Sequence, residues 1–184
     1  MDGDRRLPRL KVSDVIIHCL VEIGVKFVFV VPGGFSMHLN DSLNHSFITP
    51  VYCLHEAGAG WAACGYAAYS GQLGVCLVTS GPGSLNILTP VASAWQDSLP
   101  LLVISGDAKT ENIKLREQYQ LRQAGAQDVD IIRIVKPITK HADRLVSPYA
   151  IRERLTNVID IATTPRKGSV WLSVPLNIQE MNYE

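Results

Sequence analysis

No stretch of this sequence reaches the roughly 18 consecutive apolar residues that a membrane-crossing helix needs. No secretory leader is expected in the first ten residues, which are polar and arginine-bearing and lack an apolar core. A surplus of charge is missing too: Lys plus Arg and Asp plus Glu stand at 17 each. Nothing therefore calls for nucleic acid or an acidic membrane surface as partner. The four cysteines, Cys19, Cys53, Cys64 and Cys76, form no CxxC or zinc spacing and sit in apolar runs. They are expected as reduced, buried thiols of a cytoplasmic protein. His18, His38, His45 and His141 are scattered, so no metal-ligand set is expected. Repeats, low-complexity segments and internal linkers are absent. Charged residues make up only 18% against 47% apolar in a chain of 184, which suits a single domain with a sizeable core.

What is present is an alternation of two patterns. Residues 12–23 read as an amphipathic helix closed by Gly24, and 26–31 as a buried strand broken by Pro32-Gly33-Gly34. A helix over about 36–43 follows, then a buried strand at 51–54 and a helix from Glu56 to about Ser70-Gly71. Strand 74–79 stops at Ser80-Gly81-Pro82-Gly83, a helix covers 84–96, and 101–105 is the fourth strand. Residues 106–128 are polar and lack a clear period, which predicts a long functional loop. A short helix at 129–135, a weak strand at 138–141, a helix at 148–162 and a strand at 170–174 complete the chain. Strands alternating with helices imply βαβ units. The expected fold is an α/β three-layer sandwich, with a central parallel sheet of about six strands and helices on both faces.

In such sheets ligands sit beyond the carboxyl ends of the strands. Four loops gather there: Pro32-Gly33-Gly34, His55-Glu56, Ser80-Gly81-Pro82-Gly83 and the loop after Ser105. The stretch from Thr49 to Tyr66, TPVYCLHEAGAGWAACGY, is the most informative. It places Glu56 at a helix start, among small apolar residues, with His55 as its only ionisable neighbour. A glutamate there is a helix cap or a functional carboxylate, and spacing alone favours the cap. Ser-Gly-Pro-Gly at a strand-to-helix junction suits anion binding, yet it is neither GxGxxG nor Walker A. Gly106-Asp107 lacks a following glycine, which makes Asp107 a turn residue on this reading.

Several motifs in order carry a resemblance. They are Val31-Pro32-Gly33-Gly34; His55-Glu56 followed by Ala62-Ala63 and Gly65-Tyr66-Ala67; and Thr79-Ser80-Gly81-Pro82-Gly83 with Asn86. Next come Asp97-Ser98-Leu99-Pro100, Gln127-Asp128, Val135-Lys136-Pro137-Ile138-Thr139-Lys140 and Val174-Pro175-Leu176-Asn177-Ile178-Gln179. Together, from Leu10 to Gln179, the chain resembles the N-terminal pyrimidine-binding (PYR) domain of thiamine-diphosphate enzymes, especially the acetolactate synthase group. The resemblance implies that Glu56 hydrogen-bonds N1′ of the cofactor's aminopyrimidine and promotes proton loss from the thiazolium C2. A 2-keto acid is then decarboxylated and its fragment joined to a second carbonyl. The resemblance further implies catalytic roles for Glu56 and Gln127, and cofactor contacts from Val31, Pro32, Gly33, Gly34, Glu56, Thr79, Pro82 and Asn86. Mg2+ would be held by a separate diphosphate-binding domain, and whether FAD is bound stays open. Partners so implied are that domain, from the same or another chain, a second PYR domain in a homodimer, and a small 2-keto acid.

Departures from the family pattern sit near the site. Ala57 stands where glutamine is common, Trp61, Cys64 and Ala68 replace polar residues of the helix, Phe35 replaces a small residue, and Ala126 replaces an aromatic one. They bear on the substrate more than on the cofactor. The Gly-Asp-Gly and asparagine set of the family's diphosphate domain is absent from these residues. The expected organisation is a flexible arm over 1–10, a PYR domain over 11–180 and the start of a linker over 181–184. The alternatives are one subunit of a two-chain 2-keto acid decarboxylase, or a non-catalytic assembly module that kept the fold.

Overall fold

The computed structural model of the chain describes residues 10–183. The arm expected over 1–10 lies, except for Leu10, outside the described residues. Six strands, β1 (Phe27–Val30), β2 (Thr49–Tyr52), β3 (Gly74–Val78), β4 (Leu101–Asp107), β5 (His141–Arg144) and β6 (Ser169–Pro175), form one sheet. Its order is β2-β1-β3-β4-β6-β5, and every pairing is parallel. The helices are α1 (Val12–Glu22), α2 (Met37–Asn44), α3 (Glu56–Ser70), α4 (Pro82–Asn86), α5 (Leu88–Gln96), α6 (Thr110–Gln118), α7 (Ile131–Val135), α8 (Ile151–Thr163) and α9 (Leu176–Gln179). No helix among the described residues is long and apolar enough to cross a membrane.

The four inner strands, β1, β3, β4 and β6, are buried on both faces because alternate side chains feed two cores. Val28, Val30, Val75, Leu77, Leu102, Ile104, Val170 and Leu172 join α1, α2 and α8 on one side. Phe29, Cys76, Val78, Leu101, Val103 and Trp171 join α3, α5 and α7 on the other. The result is the expected three-layer α/β sandwich. Beside the sheet, residues 181–183 run along 10–12: Lys11 and Asn182 form an antiparallel bridge, and Tyr183 N–H donates to the Leu10 carbonyl at 2.8 Å.

Five local expectations change, one of them being that the weak strand foreseen at 138–141 lies at His141–Arg144, after a helical turn over Lys136–Ile138. The second strand lies at Thr49–Tyr52 and is an edge, with Leu54 fully exposed beyond it. Pro50 is tolerated there because an edge strand needs no donor on its outer side. The helix foreseen over 84–96 is two, α4 and α5, joined at Ile87. Residues 106–128 are not one loop. β4 continues to Asp107, and α6 covers Thr110–Gln118, a polar helix that buries only Ile113 and Arg116. Asp107 is thus a buried strand residue rather than a turn. Its carboxylate accepts from Arg144 Nε at 2.9 Å and from the Ser173 hydroxyl at 2.6 Å.

All four thiols are free, and Cys53 is only half-buried. Burial pushes Cys64 up to about 11 from an ordinary 9.0, and it pushes Cys76 well above 9.0. Above pH 9 the unfolded chain therefore holds fewer protons than the folded one, so stability falls as pH rises from about 9 towards 11. Urea unfolding of the parent and of Cys64→Ala at pH 7.5, 9 and 10.5 checks this. The alkaline loss should be shallower in the variant.

Candidate active site

The connection from β1 to β2 runs outward, and the chain then crosses back over β1 to form β3. Strand order thus reverses between β1 and β3, the kind of switch point beside which ligands bind at the carboxyl edge of open α/β sheets. Of the sequence-selected residues, all but Gln127 belong to the loops and first helices that follow β1, β2 and β3.

Glu56 begins α3 and is buried at 9% exposure. It is not the cap. That role belongs to His55, whose Nδ1 accepts from the Ala57 N–H at 3.1 Å. Relieved of capping, the Glu56 carboxylate crosses to the next helix, where Asn86 Nδ2 donates to its Oε2 at 3.0 Å. Its Oε1 has no hydrogen-bond partner among the described residues. That oxygen has room because Gly83 lacks a side chain: a Cβ there would stand 3.3 Å from Oε1 and 2.7 Å from Thr79 Cγ2.

Thr79, directly after β3, is the floor of this arrangement. Its Oγ1 accepts from the Phe35 N–H at 3.1 Å, and its carbonyl accepts from the Ser84 hydroxyl at 2.7 Å. Gly33 lies so close to it that any Cβ would overlap the threonine side chain. The Pro32-Gly33-Gly34 turn thus requires glycine at 33 for contact rather than for an unusual φ, since Gly33 is extended. The Phe35 carbonyl is held from the far side by Gln179 Nε2 at 2.7 Å. Val31 is half-buried, with its N–H on the Leu77 carbonyl at 3.3 Å, while Pro32, Gly34, Pro82 and Asn86 are exposed at the rim.

Gln127 comes from the segment between α6 and α7, and its side chain is exposed. Its backbone, at φ +54°, touches the same rim. The Ser80 hydroxyl donates to its carbonyl at 3.2 Å, and Gly81, itself at φ +59°, leaves no space for a Cβ against that carbonyl. The structure therefore gathers Val31, Pro32, Gly33, Gly34, Glu56, Thr79, Pro82, Asn86 and the Gln127 backbone at one edge. Residues missed from the sequence are Phe35 and Gln179 as braces, and His55 as the cap that frees Glu56. A capping histidine has no spacing signature of its own.

A buried carboxylate with one oxygen held and the other free of protein partners is suited to sharing a proton with a ligand. A family model described as thiamine pyrophosphate enzyme, N-terminal TPP binding domain, matches residues 10–134. The chain belongs to this family of thiamine pyrophosphate enzymes. The Glu56 Oε1, free to hold or accept a proton, fits the family's cofactor as a partner group. The chain is 35% identical over 171 residues to the probable acetolactate synthase large subunit of Methanocaldococcus jannaschii, covering 93% of this chain and 28% of that protein. It is 36% identical over 172 residues to the acetolactate synthase large subunit of Corynebacterium glutamicum, with 93% and 26% covered. The figures for the acetolactate synthase isozyme 2 large subunit of Escherichia coli are 34% over 164 residues, with 89% and 28% covered. The chain thus spans about a quarter of the length of these relatives.

The Gly33–Thr79 contact makes a direct prediction. Gly33→Ala must displace Thr79 and with it the Phe35 loop, an overpacking effect of about 1–3 kcal/mol. Denaturant unfolding should show that loss with little change in m value.

Proposed function

We propose that this chain is the pyrimidine-facing half of an acetolactate-synthase-like thiamine-diphosphate enzyme that decarboxylates a 2-keto acid and ligates the fragment to a second carbonyl. The single observation that supports it is the Glu56 carboxylate, buried, oriented by Asn86 through Oε2 and open at Oε1. When bound, thiamine diphosphate supplies the electron sink that protein side chains lack. With the cofactor bound, Glu56 would hold or give up a proton at Oε1 toward the pyrimidine N1′, and Asn86 would keep the carboxylate from rotating away. Gly33 and Gly83 let the Thr79 side chain close the floor beneath the ring, and Val31, Pro32, Gly34, Thr79 and Pro82 would wall it. Gln127, at the rim, faces the substrate side. Phe35 narrows the entrance for that substrate.

Diphosphate and Mg2+ belong, on this reading, to a separate diphosphate-binding domain, and the enzyme works in the cytoplasm as a lyase or transferase. Among the described residues no group of three His, Cys, Asp or Glu side chains is placed to hold a metal ion. A homodimer completes the assembly. What supports it is the surface of α3, whose only charged residue is Glu56, and which exposes Trp61 and Tyr69. Ala59 and Ala63 face the chain's own core, which leaves Gly58, Trp61 and Gly65 for an isologous contact.

Two measurements test this reading. With a diphosphate-binding domain supplied, Glu56→Gln should keep the fold yet slow C2 hydrogen–deuterium exchange of bound cofactor by about 10²–10⁴-fold; unchanged exchange would remove the assigned role. Sedimentation of the chain at micromolar concentration should give a dimer that Trp61→Glu dissociates. A clean monomer in the parent would argue against pairing through α3.

A further inference from the structure

The segment between α6 and α7 has no regular structure, yet a buried ion pair holds it. The Asp128 side chain is wholly buried, and Arg116 of α6 is 5% exposed. Arg116 Nη1 donates to Asp128 Oδ1, and the Ala124 N–H donates to Asp128 Oδ2 at 3.2 Å. The Asp128 N–H returns to the Gly125 carbonyl at 3.4 Å. These bonds close a tight turn around Gln127, which sits in the left-handed region at φ +54°, a conformation uncommon for a residue with a side chain. Something outside Gln127 has to keep it there.

Beyond the turn the contacts continue in one direction. The Gln127 carbonyl accepts from Ser80 and abuts Gly81. The Gly81 carbonyl accepts the Leu85 N–H at 2.9 Å and so starts α4, whose last residue, Asn86, orients Glu56. Stability alone accounts poorly for the pair at its head. Arg116 Nη2 is buried without a hydrogen-bond partner among the described residues, and the Asp130 and Glu117 carboxylates stay 3.9 Å away. A buried ion pair with incomplete hydrogen bonding is often replaceable by neutral side chains at little cost, so its distinctive contribution is geometric.

We infer that Arg116 is a positioning residue for the site: its pair with Asp128 fixes the Gln127 turn, and through the Gln127 carbonyl it fixes the Ser80-to-Asn86 wall that holds Glu56. The inference rests on reading this edge as the cofactor site, but its test does not involve the cofactor. Amide hydrogen exchange is followed on the whole chain in Arg116→Met/Asp128→Asn, which removes both charges together. Exchange should rise about tenfold or more at Ala124 and Asp128, within the turn, and at Leu85, across the contact. Val103 and Ile104 in β4 should not change. Arg116→Lys keeps a cation but not the planar fork, and it should move the same three amides together by a smaller factor. Acceleration at Ala124 and Asp128 with Leu85 unmoved, in either variant, would overturn the inference and reduce the pair to a local brace. Failure here leaves the Glu56 assignment standing, and failure of the C2 exchange test leaves this coupling standing.

Discussion

Thr79 sits where four segments meet, and the candidate site depends on how closely they approach it. Its side chain fills the space that Gly33 and Gly83 leave empty, its hydroxyl receives the Phe35 N–H, and its carbonyl receives Ser84. Because β3 is central in the sheet, this floor is anchored on both sides, by β1 and by β4. The loop after β1 and the helix after β3 are thereby set against one rigid point. Glu56, arriving from the far side of β1, needs only Asn86 to be fixed in direction. The Glu56 carboxylate owes its position to backbone proximity more than to charge, which is why small residues crowd this edge.

Division of labour around Glu56 follows the same logic. A carboxylate at a helix start ordinarily satisfies its own free N–H groups. Here His55 does so for Ala57, and the carboxylate is left to reach Asn86 with one oxygen uncommitted.

Much of this was legible in the sequence. The alternation of apolar strands with helices predicts the sandwich, because strands buried on both faces have to read as continuous apolar runs. Glu56, Pro32, Gly33, Thr79 and Asn86 were legible through motif order, and the fold brings them together. What stayed hidden has physical causes. α6 is almost wholly polar, and its two buried residues, Ile113 and Arg116, give no apolar stripe. Val51 to Leu54 looks buried by composition, yet Pro50 and the edge position shift the strand back and expose Leu54. The contacts of Asp107 and Arg116 are with residues distant in the chain, Arg144 and Ser173 or Asp128, and no local pattern announces them.

The strand order also bears on how the chain is made. β4, an apolar strand, lies between β3 and β6. Synthesis from the N-terminus delivers β3 first, so one edge of β4 finds its neighbour at once. The other edge waits for β6, which follows only after α6, α7, β5 and α8 have been translated. Through that interval the nascent chain presents an unpaired, hydrophobic strand edge, the kind of surface on which chains associate wrongly. Expression of this chain should therefore respond to chaperone supply more than its folded surface suggests, because the exposure ends only when the last strand arrives.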